Sequence, residues 1–318
     1  MTCSACVAEA GPLRPRLGAD GSFSLWSDRF GEGFHGGIGA LSEAKAKFVH
    51  PAQLERFPRG RGLRVVDVGF GLGTNSAALR EAGEDRGLEL EIWGLECDPQ
   101  PLRQALATPA FRSQWRQHTV RWLEGLLLAG GGGRSGDGGG ALLWGDARQR
   151  LPELLGERRL AGCCDLVLLD AFSPQRCPEL WSQEFLGQLA RLLEPRGRLL
   201  TYCCAAAVRR SLMQAGLELA SIQAPPEQAA DNGELWSFGT VASPSALLDA
   251  GAAGGSPRKP LSAMEREHLG TRAAEPYRDP GGQSSAAEIL AARQRAQASS
   301  TASSTSAWRR RWGLKDAN

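Results

Sequence analysis

Between Leu63 and Val241 short, nearly continuous apolar runs alternate with longer amphipathic ones, and this alternation limits the possible folds more than any other feature of the chain. Leu63–Val68, Leu90–Leu95, Ala141–Trp144, Asp165–Leu169 and Arg198–Tyr202 read as strands. Asn75–Glu81, a segment from about Pro99, Arg148–Leu155, Pro178–Leu193 and Ala205–Ala215 carry helical periodicity between and after them. Strands that are apolar on both faces must be covered on both, as helices do in a doubly wound parallel sheet. The last two runs, Leu217–Ile222 and Glu234–Val241, have only a loop between them, so the final strand is expected to be antiparallel. The expected fold class is α/β, with a mostly parallel seven-stranded sheet.

A length of 318 residues suits one large domain with appendages and supplies a core without a disulfide framework. We expect a flexible N-terminus over 1–20, one domain over 21–245, and a partly disordered extension over 246–318. In that extension apolar periodicity fades, Ala298–Ser306 has the composition of a linker, and Trp308–Trp312 is a short basic, aromatic element. Residues 291–318 hold five Arg and one Lys against one Asp. They read either as a solvated tail or as a contact with nucleic acid or another partner that orders on binding. The glycine run Gly130–Gly140 reads as a surface loop.

Charge nearly cancels, with 37 Lys and Arg against 35 Asp and Glu, which excludes a histone-like polycation. Only four of the 37 basic residues are Lys (45, 47, 259 and 315), so an isolated Arg says little about phosphate binding. Of eight cysteines, Cys163–Cys164 and Cys203–Cys204 are adjacent pairs in apolar runs, where Cys acts as a small hydrophobe. Cys3 and Cys6 form one CxxC without a second, and His35, His50, His118 and His268 follow no ligand spacing, so no metal is expected. The first residues lack a signal-peptide pattern, and no apolar run approaches the roughly 20 residues of a membrane span. The expected location is the cytoplasm, with no membrane partner.

In such sheets ligands bind beyond the carboxyl ends of the strands. The first strand ends in Asp67-Val68-Gly69-Phe70-Gly71-Leu72-Gly73-Thr74-Asn75. Gly69, Gly71 and Gly73 suit close approach of backbone to ligand, although a plain strand-to-helix turn gives the same spacing. A dinucleotide fingerprint would need its last Gly where Thr74 stands. The second strand ends at Glu96, placed to accept ribose hydroxyls, and the third at Asp146, which reads either as an acceptor for an adenine amine or as a helix N-cap. Asp67, Glu96 and Asp146 together form an anionic rim that would repel a pyrophosphate. The rim suits a cationic cofactor without phosphate, such as S-adenosylmethionine. The fourth strand ends in Asp170-Ala171-Phe172-Ser173-Pro174, where a carboxylate and an aromatic ring emerge together. Asp170 is the candidate acceptor of a substrate amine proton, and Phe172 the candidate stacking ring.

Phe34-His35-Gly36, Gly39-Ala40-Leu41-Ser42-Glu43, the glycine loop, Leu169-Asp170-Ala171-Phe172-Ser173-Pro174, Pro178-Glu179-Leu180-Trp181 and Val208-Arg209-Arg210 occur in order, and the chain resembles the methyltransferase domain of the MnmC family. The resemblance covers roughly residues 21–241. It implies a methyltransferase of the S-adenosylmethionine-dependent type that acts on the amine of a 5-aminomethyl(-2-thio)uridine at the wobble position, with the tRNA anticodon loop as partner. Carried onto this sequence, it places Asp67, Gly69, Gly71, Gly73, Asn75, Glu96, Asp146 and Asp170 around the cofactor, and Asp170 with Phe172 at the reacting amine. His35 and Glu43 would close the cleft, unless they belong to a surface loop. Arg209 and Arg210 would meet tRNA, unless they form a solvated face. Family members often carry an FAD-dependent oxidase domain. About 75 residues follow Val241 here, without a Gly-rich opening, so no oxidoreductase activity is expected. Ala224–Gln228 lacks the basic run expected for tRNA docking. Two other readings stay open: transfer of a methyl or aminopropyl group to a small amine, and noncatalytic RNA binding.

Overall fold

The computed structural model describes residues 11–129, 139–224, 237–246 and 257–314. Its strands are β1 Leu13–Leu17, β2 Phe23–Ser27, β3 Glu32–Gly33, β4 Gly62–Val68, β5 Glu89–Glu96, β6 Gly140–Trp144, β7 Cys164–Leu169, β8 Leu193–Thr201, β9 Glu218–Ile222, β10 Gly239–Ser243 and β11 Arg258–Lys259. An eight-stranded sheet has the order β11-β9-β10-β8-β7-β4-β5-β6. The pairings from β8 through β7, β4 and β5 to β6 are parallel, whereas β10 is antiparallel to both β8 and β9. The doubly wound sheet and its antiparallel last strand therefore follow the sequence pattern.

Two-residue periodicity explains the two cores. Leu63, Val65, Ile92, Leu166, Leu168 and Leu200 face one helical layer, while Val66, Val68, Trp93, Leu95, Val167 and Leu199 face the other. Each fully buried aliphatic side chain contributes roughly 1.5–3 kcal/mol, so both faces drive the same register. Between β5 and β6 the described residues form three helices, Gln100–Ala107, Pro109–Arg112 and Gln117–Leu128. Thr108 stays extended because the ring of Pro109 excludes the helical conformation before it. The helix expected over 178–193 is broken as well: a 3₁₀ turn, Pro178–Trp181, precedes the helix Gln183–Ala190, and the Ser182 hydroxyl caps the latter by accepting from the Phe185 amide.

At both ends the described residues include elements that the sequence pattern left unassigned. Within the expected flexible N-terminus, residues 13–17 form β1, the edge of an antiparallel meander with β2 and β3. Pro15 and the exposed arginines of β1 hide the strand pattern and are residues suited to a sheet edge. The extension, expected to be partly disordered, is folded over 257–314. β11 adds an eighth strand beside β9, and the helices Ala263–His268, Ala286–Ser299 and Thr305–Arg311 follow. Ser262 and Ser285 start the first two of these with reciprocal capping boxes. Trp308 is 3% exposed, lies 4.0 Å from the His268 ring in a stacked pair, and donates from Nε1 to the Met264 carbonyl. Burial of this one aromatic anchors a segment whose composition reads as a linker. The Cys3–Cys6 pair, most of the glycine run and the loop after Ala224 lie outside the described residues.

Candidate functional site

The carboxyl ends of β4, β5 and β7 open into a cleft of about 560 Å³. Gly69 and Gly71 line it with positive φ of 78° and 54°. A Cβ at Gly69 would stand 2.9 Å from the Asp170 carbonyl oxygen, so only glycine lets the first turn pass this close to β7. Gly73 stands behind the cleft and begins the helix Thr74–Asp85, where a Cβ would collide with Leu123 and Phe70.

The acids do not all sit where strand ends alone place them. Glu96 lines the cleft, and its carboxylate is tied to the chain around it: Oε2 accepts from Gly71 N at 2.8 Å, Oε1 from Cys97 N and Asp98 N. Burial pushes its pKa up. Asp67 is 1% exposed beneath the glycine loop and accepts from the Ser76 hydroxyl, so it is no rim residue; burial raises its carboxyl to about 7. Asp146 caps the helix Ala147–Leu155 through Arg148 N and binds the Arg148 guanidinium, which also reaches Asp279. It does not line the cleft, and the N-cap reading holds. Glu32, Glu43, Asp98 and Asp170 supply the remaining negative charge of the lining.

Asn75, on the first turn of its helix, donates from Nδ2 to Asp170 Oδ2 at 2.6 Å. This bond ties one oxygen of a carboxylate that lines the cleft and leaves the other unused by Asn75. Burial raises Asp170 to about 6, against the lowering effects of Asn75 and Lys47. The group therefore changes charge close to neutrality, the range in which a carboxylate exchanges protons with a substrate.

The opposite wall comes from the N-terminal meander, a contribution missing from the sequence reading. Phe172 stacks on Phe30, with centroids 4.1 Å apart, and meets Phe34 edge-on at 5.0 Å. One face of Phe172 is thus already covered by protein. Glu32 accepts from Ser173 N and Oγ, which joins the meander to the segment after β7. His35 and Glu43 do reach the cleft. His35 Nδ1 lies 2.8 Å from Ser24 Oγ, and burial lowers its pKa to about 4, which leaves the ring neutral. Glu43 accepts from Gly36 N and from Lys47 Nζ. Lys47 lies on a π turn, Lys45–Val49, 4.8 Å from the Phe238 ring centroid, and it too escaped the sequence reading. The run Phe23-Ser24-Leu25-Trp26-Ser27 after the Asp20-Gly21 turn is the unread signal that could have found the meander.

Arg209 is not a phosphate contact. It is 1% exposed and pairs with Glu265 at 2.8 Å, with further bonds to Thr240, Ser237 and the Gly239 carbonyl. Arg210 is exposed and donates to the Leu269 carbonyl. Both residues fasten the C-terminal extension to the domain.

The cleft fits S-adenosylmethionine on its own terms. Its lining is rich in acids, it has room for a nucleoside, and a side chain at Gly71 would crowd the lining residue Phe34. Residues 139–228 match the family model described as S-adenosyl-L-methionine-dependent methyltransferase. The chain is 32% identical over 231 residues to the tRNA 5-methylaminomethyl-2-thiouridine biosynthesis bifunctional protein MnmC of Cupriavidus necator, which covers 65% of this chain and 32% of that protein. It is 31% identical over 260 residues to the MnmC of Pseudomonas paraeruginosa, covering 77% of this chain and 36% of the relative. The chain thus spans about a third of the length of the curated relatives it matches. The crystal structure of MNMC2 from Aquifex aeolicus aligns with a TM-score of 0.70 at 28% identity, over 92% of this chain and 87% of that one. Among the described residues no helix is long and apolar enough to cross a membrane.

Proposed function

We propose that this chain, an S-adenosyl-L-methionine-dependent methyltransferase similar to MnmC, methylates the amine of a 5-aminomethyl(-2-thio)uridine at the wobble position of tRNA. The observation that carries the proposal is the meeting of Asp170, an oriented carboxylate with a pKa near 6, and an aromatic wall in one acidic cleft.

A primary alkylamine has a pKa of about 10, by analogy with Lys, and arrives as an ammonium without a lone pair. The acidic floor attracts that cation. Asp170 takes a proton from it at the carboxylate oxygen left open by Asn75, and holds the resulting lone pair in line. When bound, S-adenosylmethionine supplies an electrophilic methyl on a sulfonium. Glu96 and the glycine turn would hold its nucleoside end, Glu96 through the lone pair its three backbone bonds leave unused. Phe172, backed by Phe30, meets the uracil with its open face or edge, as aromatic side chains do with unstacked loop bases. Proton transfer from a positioned group is worth about 10²–10⁴-fold, and alignment adds to it.

The test is radiolabelled methyl transfer from S-adenosylmethionine to three acceptors: tRNA bearing 5-aminomethyluridine, the same tRNA with unmodified uridine, and free polyamines. Incorporation confined to the first supports the proposal. Incorporation confined to polyamines, or tRNA binding with no transfer, sinks it.

A further inference from the structure

The charges at the cleft are layered, and the layering selects for one kind of substrate. The lining around the reacting end carries the carboxylates of Asp170, Glu43, Glu96 and Asp98 against one ammonium, Lys47, which is bound to Glu43. Arg16 and Arg29 line the cleft from one segment, and from another Arg176 adjoins the lining residues Gly31 and Glu32. Arg16, exposed on the edge strand β1, lies 4.1 Å above the Trp26 ring. Arg29 is exposed 5.0 Å over the Phe30 ring, which stacks in turn on Phe172. Arg176, four residues after Phe172, has a side chain 56% exposed, with its Nε 3.9 Å from Glu32 and its guanidinium beside Gly31.

An aromatic ring beneath a guanidinium holds its plane and reduces the rotamer freedom lost on binding an oxyanion. A small free amine would be drawn to the floor and repelled at the rim. A ligand with a cationic head and an anionic frame around it is attracted by both. An RNA loop that presents an aminomethyl base between its own phosphates is such a ligand.

We propose that Arg16, Arg29 and Arg176 form the docking rim for the phosphates flanking the target nucleotide of a single-stranded RNA loop, with the N-terminal meander as the platform that carries two of the three. This inference rests on the methyl-transfer reading of the cleft and names the surface that admits its substrate.

The experiment measures binding of an anticodon stem-loop carrying 5-aminomethyluridine across a KCl series, alongside methyl transfer to the same stem-loop. Each phosphate contact in a single strand contributes about 0.7 to the slope of log K against log salt. Arg16→Gln, Arg29→Gln and Arg176→Gln are each expected to flatten the slope by about 0.7, and the triple variant by about 2, with affinity falling at every salt concentration. Thermal unfolding of each variant monitors the fold, and the exposed single variant Arg176→Gln suffices alone if the triple variant melts early. Arg14→Gln, on the same strand but held in a close ion pair with Asp28 at 2.6 Å, is expected to keep the wild-type slope. An unchanged slope in the folded rim variants, or an equal drop for Arg14→Gln, overturns the assignment. If the rim variants flatten the slope while the wild type transfers no methyl group, the docking surface stands and the methyl-transfer reading falls; wild-type transfer with unchanged slopes has the reverse meaning.

Discussion

In the proposed reaction Asp170 has to be charged when the substrate arrives and ready to accept a proton afterwards, and burial with an Asn75 bond would meet both needs. A pH profile tests this. If the reacting pair is the anionic carboxylate and the ammonium, kcat/KM is level between the free-enzyme Asp170 pKa of about 6 and the amine pKa of about 10, and it falls at lower pH. In Asp170→Asn the protein must instead capture the rare neutral amine. Its kcat/KM should be lower by about 10²–10⁴-fold near pH 7 and climb tenfold per pH unit up to about 10. Calorimetry should show donor binding retained; equal loss of binding and turnover would make Asp170 structural. At this scale the sequence marked Asp170, Glu96 and the glycines, because strand ends in a parallel sheet converge on one edge. It misplaced Asp67 and Asp146. A strand end says that a carboxylate is near the cleft edge, but not whether a Ser76 hydroxyl or an Arg148 guanidinium takes it up.

At the scale of elements, the meander and the helix Ala206–Gln214 show what periodicity leaves out. The meander is short and basic at its edge, yet Phe23 and Leu25 are buried, and Asp20 ties its hairpin turn to the following helix by accepting from Ser42 N. Arg209 looks solvent-facing by type, whereas the helix turns it toward β10 and the Glu265 carboxylate. Removing one partner of a buried pair strands the other charge, so Arg209→Met is expected to cost about 3–5 kcal/mol in denaturant unfolding, with no lowering of the tRNA salt slope in the folded fraction. A phosphate-binding Arg209 would produce the opposite pattern, an unchanged unfolding midpoint and a flatter slope. No spacing rule links Arg209 to Glu265, because a contact 56 residues away depends on where the extension docks.

For the whole molecule, the extension completes the sheet instead of trailing from it. A chain ending after Ser245 would lose β11, uncover the edge of β9, and leave Arg209 without Glu265. Its melting temperature is expected to fall by about 10 °C or more, as 2–4 °C per kcal/mol for a domain of this size implies; a tail without structural work would leave melting unchanged. The sequence by itself determined the layered α/β sheet, its strand direction and the glycine turn with its neighbouring acids. Those follow from local periodicity and from backbone positions that only glycine fills. Tertiary structure alone decided which acids face the cleft, which arginines are buried, and that the two terminal segments wall the site and close the sheet. These depend on contacts between residues far apart in the chain, and burial there overrides the solvent preference that composition suggests.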